Sequence, residues 1–143
     1  MANIVFNVSK GRVVELYNRV EASDPANAAL IVVPIETSGL QSDATLIDMD
    51  DLAAVLAGAT NEQTTMGRKT LTDADLAALP APDDTNDRYS LSLPNIVWTG
   101  ATGNAISKLL IAYDPDTTGG ADSAIIPLTM FDFAVTPDGT DVT

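Results

Sequence analysis

Between residues 88 and 93 polar and apolar positions alternate, with Tyr89, Leu91 and Leu93 set against Arg88, Ser90 and Ser92. A period of two predicts a strand with one buried face. Pro94 lacks a backbone donor and predicts the strand's end or an edge position. Ile96, Val97 and Trp98 resume an extended pattern, and the Gly- and Thr-bearing residues 99–104 predict a loop. From Ile106 to Tyr113 both alternate sets are apolar: Leu109, Ile111 and Tyr113 on one side, Leu110 and Ala112 on the other. That pattern predicts a central strand covered on both faces. Residues 114–122 carry Pro115, Gly119 and Gly120 and predict a long hairpin loop. Residues 124–133 return as a strand in which Pro127 marks an edge or a bulge. Pro137, Asp138 and Gly139 form a tight-turn signature that would fold residues 141–143 back on 134–136.

In the first half, Ile4, Phe6 and Val8 alternate with smaller or polar neighbours and predict a strand ended by residues 9–11. Val13, Leu16, Tyr17 and Val20 then fall at i, i+3, i+4 and i+7, one face of a helix, although the β-branched valines leave a strand open as the alternative. After a turn at residues 23–27, residues 29–36 are apolar on both faces and predict a buried strand, with Pro34 hinting at an edge or bulge. Residues 38–44 predict a loop. Asp48 or Asp50 caps a short helix carrying Leu52, Val55 and Leu56 and closed by Gly58. Residues 59–67 are a polar loop, and 68–71 a short strand. Thr72 or Asp73 caps one or two helical turns through Leu76 and Leu79, and residues 80–87 form a stiff acidic connector. The predicted fold class is mainly β with short helices (α+β). A β-sandwich-like or small barrel core from residues 88–143 carries the helices and loops of residues 1–87, all within a single domain over 1–143.

The chain has 143 residues, 45% of them hydrophobic, which suffices for one domain with a core. It has no cysteine and no histidine, which excludes disulfides, thiolate chemistry, and the commonest general base and transition-metal ligand. The net charge of −13 opposes nucleic acid and anionic membranes and favours solubility or a basic protein partner. Residues 1–8 lack the basic start and apolar run of a signal peptide, and no apolar stretch reaches the ~18 residues of a membrane span.

Candidate chemistry is sparse. Asp114, Asp116 and Asp122 resemble the start of a calcium loop, but Pro115 stiffens it and no Glu stands at its twelfth place. Gly100 and Gly103 do not form a phosphate cradle with a lysine, and no G-x-S-x-G elbow or S-x-x-K motif occurs. The abundance of acids makes any single carboxylate pair uninformative for glycosidase chemistry. Trp98, Tyr89, Tyr113, Phe131 and Phe133 occupy strand-like positions and read as core; the alternative is an aromatic platform for a carbohydrate-binding β-sandwich. No catalytic, cofactor-binding or metal-ligating residue is assigned, and no cofactor.

Several stretches resemble a set of small tailed-bacteriophage virion proteins. They are the run 126–143 with Pro127, Met130, Phe131, Asp132, Phe133 and the turn Pro137, Asp138, Gly139; then Gly11, Arg12, Val13, Val14, Glu15, Leu16, Tyr17; then Asp24, Pro25, Ala26, Asn27; and the segment 79–89 with Pro80, Pro82, Asp83, Asp84, Asn86 and Asp87. The resemblance covers most of the chain and consists of turns and strand patterns rather than chemistry. It implies a non-enzymatic structural protein of the virion, assembled in the host cytoplasm: a capsid decoration (cement) protein or, alternatively, a neck, head-fibre or tail component. The implied partners are the major capsid protein and copies of the chain itself, in a trimer where shell symmetry dictates, with no nucleic acid and no membrane. Lambda-type decoration proteins carry a long polar N-terminal arm, whereas residues 3–8 here are short and apolar. They are therefore expected to pair with a sheet edge, their own or a neighbour's.

Overall fold

Ala29–Glu36 (β2) and Ile106–Asp114 (β4) are apolar on both faces, and they lie side by side inside one antiparallel sheet. The computed structural model describes residues 2–143. Ile4–Val5 (β1), Lys69–Leu71 (β3) and Ile126–Val135 (β5) complete the sheet, in the order β1-β5-β4-β2-β3. The protein is therefore mainly β with short helices, as its patterning predicts. The sheet stays open, so the small-barrel form of that expectation is not realised, and the core is not the property of residues 88–143 alone. β2, from the first half, is an interior strand because only a run apolar on both faces can occupy that place.

Strand parity divides the core in two. Leu30, Val32, Ile111, Tyr113 and Leu128 face Val13–Glu21 (α1), which contributes Leu16, Tyr17 and Val20, along with Trp98 and Val142. Ile31, Val33, Ile35, Leu110, Ala112 and Met130 face the other way, toward Phe6, Asp43–Leu46 (α2) and Leu52–Ala57 (α3). The helical reading of residues 12–20 holds, and its predicted face is the buried one. Asp51, rather than Asp48 or Asp50, caps α3 by accepting the Ala54 N–H at 2.7 Å; Asp48 instead accepts from the Asn7 side chain. α2 lies partly in a stretch expected to be loop, nucleated by Ser42, whose Oγ accepts the Thr45 N–H.

Both strand prolines sit where the ladder can spare a donor. The Pro34 carbonyl accepts the Gln63 N–H on the side where β3 has ended, so the missing N–H costs nothing in the pairing with β4. Pro127 stands at a bulge, where the β4–β5 register shifts between Ile111 and Ala112. Other expectations fail as well. Residues 89–93 form no strand. The turn beyond residue 72 is a single 3-10 turn, Asp73–Asp75, ending at Leu76. Val142 pairs with Trp98 instead of residues 134–136: each donates to the other's carbonyl, at 3.0 and 2.9 Å. Val142 is thereby buried in the same core cluster as Trp98.

The predicted strand at residues 3–8 is two residues long. Ile4 pairs with Met130 and Val5 with Thr129, so the N-terminus adds to its own sheet edge. Phe6 then turns fully into the core, and the buried Ser9 hydroxyl donates to the Pro127 carbonyl.

Candidate functional site

α1 packs over β2, leaving β5 and β1 less covered on the same face of the sheet. An apolar groove of about 360 Å³ opens there. Val13, Val14 and Tyr17 of α1 form one wall, Val5 and Phe131 of the sheet edge another, and Tyr89, Leu91 and Leu93 the third. The third wall is the alternating run that patterning assigns to a strand. Its alternation places apolar side chains on one side as predicted, but they cover α1 and β5 as an irregular strap with no ladder partner. The Tyr17 hydroxyl ties the strap down, donating to the Ala77 carbonyl at 2.8 Å and lying 3.3 Å from the Ser92 carbonyl. Burial raises the Tyr17 pKa, so the hydroxyl stays protonated as a donor.

Val5, Val14, Tyr89, Leu93 and Phe131 are the large hydrophobic side chains exposed among the described residues, at 37–42% each, and all five line this groove. Scattered exposed apolar residues are ordinary on a protein surface, whereas these five are gathered in one place. Sequence reasoning placed Tyr89 and Phe131 in the core. The available signal was Pro94, which lacks a backbone donor and stands directly after Leu93.

Two ion-pair clusters, centred on Lys108 and Arg68, lie outside the groove's lining. Lys108, wholly buried on β4, lies 2.7 Å from Asp132 and 3.0 Å from Asp43, and its Nζ donates to the Ala2 carbonyl at 3.1 Å. Burial alone would lower the Lys108 pKa; its hydrogen bonds to the two carboxylates outweigh that and raise it. The Ala2 N–H, with Lys108 beside it, holds the Asp43 carboxyl below the usual range. Arg68 meets Glu62 at 2.7 Å and grips both oxygens of Asp122 at 2.7 and 2.9 Å. The guanidinium depresses the Asp122 pKa, and the carboxylates raise that of Arg68.

That second cluster takes apart the calcium-like loop. Asp122 belongs to Arg68, Asp114 accepts the Asp116 N–H at 2.9 Å, and Asp116 accepts from the Thr118 N–H and hydroxyl. Asp114, Asp116 and Asp122 line one shallow hollow but do not converge as ligands, and no group of three or more acidic residues among the described residues could hold a metal ion. Trp98 is 3% exposed and donates its indole N–H to the Gly67 carbonyl at 3.0 Å. Tyr113 is buried as well. A sugar needs an open aromatic face to stack on, and neither Trp98 nor Tyr113 offers one; both are core. Gly103 adopts φ +110° where a Cβ would meet the buried Gln63 amide 2.0 Å away. Gln63 donates to the Thr102 and Asn104 carbonyls, so Gly103 serves loop closure rather than phosphate binding.

No protein-family model matches the chain, and neither a curated protein nor a solved structure matches it.

Proposed function

We propose that this chain is a non-enzymatic bacteriophage virion protein, a capsid decoration (cement) protein that stabilises the head shell by seating its apolar groove on neighbouring protein. The gathering of Val5, Val14, Tyr89, Leu93 and Phe131 on one groove carries the docking half of this reading. The sequence resemblance supplies the virion setting. The polar groups favour a structural role: Lys108 and Arg68 are spent on carboxylates of their own fold, and the loop acids on their own backbone. A surface of this kind clamps adjacent capsomers, and repetition over one expanded shell adds avidity to a modest single contact. The major capsid protein is the partner, with copies of the chain as neighbours across the shell.

Particles made with and without the chain test this reading. Shells lacking it should lose heat resistance, and adding back the purified chain should restore it. Equal resistance would reject a cement role. Quantitative mass spectrometry of the particle separates decoration from a neck, fibre or tail place: a copy number comparable to the major capsid protein supports decoration, and a small fraction of it supports the others.

A further inference from the structure

We infer that the groove takes an apolar segment of another protein flanked by lysine or arginine, and not a second copy of this chain; the inference rests on the docking reading above. The chain carries twenty acidic and seven basic side chains. Its bases are largely consumed inside the fold: Arg12 and Arg19 meet Glu15, Arg68 meets Glu62 and Asp122, Arg88 meets Asp83, and Lys108 meets Asp43 and Asp132. Lys10 and Lys69 are the bases left without an ion pair among the described residues, and Lys69 lies over the Trp98 ring, 5.9 Å from its centroid. The acids are not consumed in the same way. The strap that walls the groove follows Asp84 and Asp87 in the chain, neither of which meets a cation among the described residues.

Arg12 and Arg88, the bases next in sequence to the groove's lining, are paired with Glu15 and Asp83, so a basic visitor meets the attraction of a chain whose net charge is −13. Two copies of this chain meeting groove to groove would bring net charges of −13 together, and their few unpaired cations could not offset the repulsion. A basic-flanked apolar segment meets the reverse: attraction on approach, and burial of its apolar side chains against Val14, Tyr89, Leu93 and Phe131. The groove's 360 Å³ sits at the small end of ligand-sized sites, room for a few side chains rather than a whole element.

The test titrates the full chain with three synthetic peptides: one alternating leucine and lysine, one alternating leucine and glutamate, and one alternating serine and lysine. Backbone amide NMR shifts read both affinity and site. The leucine–lysine peptide should bind with shifts centred on Val14, Tyr89 and Phe131, and weaken as salt rises. The other two should bind about tenfold more weakly or worse. Phe131→Ser, an exposed position, should weaken the leucine–lysine peptide by about tenfold while its amide spectrum stays folded. Equal binding of the serine–lysine peptide, or indifference to Phe131→Ser, would overturn the inference by reducing the effect to surface charge. So would a self-dimer in sedimentation that Phe131→Ser dissolves. On particles, wild-type occupancy by Phe131→Ser rejects the groove as the contact while leaving the virion reading standing. Absence of the wild-type chain from particles removes that reading, and the peptide titration still decides the groove's chemistry.

Discussion

Lys108 on β4 and Asp132 on β5 are direct cross-strand partners, and their charged ends lie 2.7 Å apart. The lysine is wholly buried, while the Asp132 side chain is 41% exposed. Burial of the cation is sustainable because Asp43 and the Ala2 carbonyl complete its coordination from the opposite side. One side chain thereby joins β4, β5, the start of α2 and the N-terminal residues.

Removing the lysine should cost more than removing either acid. Lys108→Ala leaves two carboxylates facing a vacated site and should destabilise by about 2–4 kcal/mol. Lys108→Met keeps the apolar stem and should cost less than the alanine. Asp132→Asn, at a half-exposed position, should cost about 1 kcal/mol or less. Urea unfolding of the three variants measures the order; a smaller loss for Lys108→Ala than for Asp132→Asn would contradict it.

Acid should weaken the fold through identifiable groups. The folded-state pKa of Asp43 is depressed by the Ala2 N–H and Lys108, and that of Asp122 by Arg68. Their contribution is present above the unfolded carboxylate value of ~3.9 and is lost as pH falls through the lower folded values. Lys108 has the opposite sign: its pKa is raised, so its contribution is present below ~10.4 and is lost as pH rises past the folded value. Unfolding midpoints across pH should show a plateau bounded by these two losses. Asp43→Asn should flatten the acid limb, and an unchanged acid slope in that variant would assign the loss elsewhere.

Met130 and Phe131 are sequence neighbours on opposite faces of β5, and they should respond oppositely. Met130 is fully buried among Phe6, Leu110 and Val33, so Met130→Ala should cost about 2–5 kcal/mol. Phe131 is 42% exposed in the groove, and Phe131→Ala should cost about 1 kcal/mol or less. Thermal and urea unfolding read both. A large loss at Phe131 would make the groove wall part of the core rather than a docking surface.

Chelators and added calcium should leave the melting temperature unchanged, because Asp122 is already neutralised by Arg68. Arg68→Ala should cost about 1–3 kcal/mol, since it strands Glu62 and Asp122 beside each other with no cation between them. Differential scanning calorimetry with and without calcium checks both. A calcium-induced rise in the wild-type melting temperature would restore the loop as a metal site.

Much of this architecture is legible in the chain itself. The two runs apolar on both faces had to be interior strands, because only interior positions hide both sets of side chains, and β2 and β4 are those strands. The 3.6-residue spacing of Val13, Leu16, Tyr17 and Val20 favours α1 over the strand its valines also allow, and Pro127 marks an edge or a bulge, of which the fold takes the bulge. These are local matters of periodicity and backbone donors. Which alternating segment receives a ladder partner is not local. Tyr89, Leu91 and Leu93 alternate as a strand does, yet β1 and the Asn3 side chain take up the β5 edge beside them, and the tail takes Trp98, so the segment is left as a strap. The same competition decides the groove: Phe131 has the composition of a core residue, and only the placement of α1 over β2 leaves it uncovered. Likewise, three aspartates spaced like cation ligands lose that role to an arginine 54 residues away from Asp122, a pairing that chain folding alone brings about.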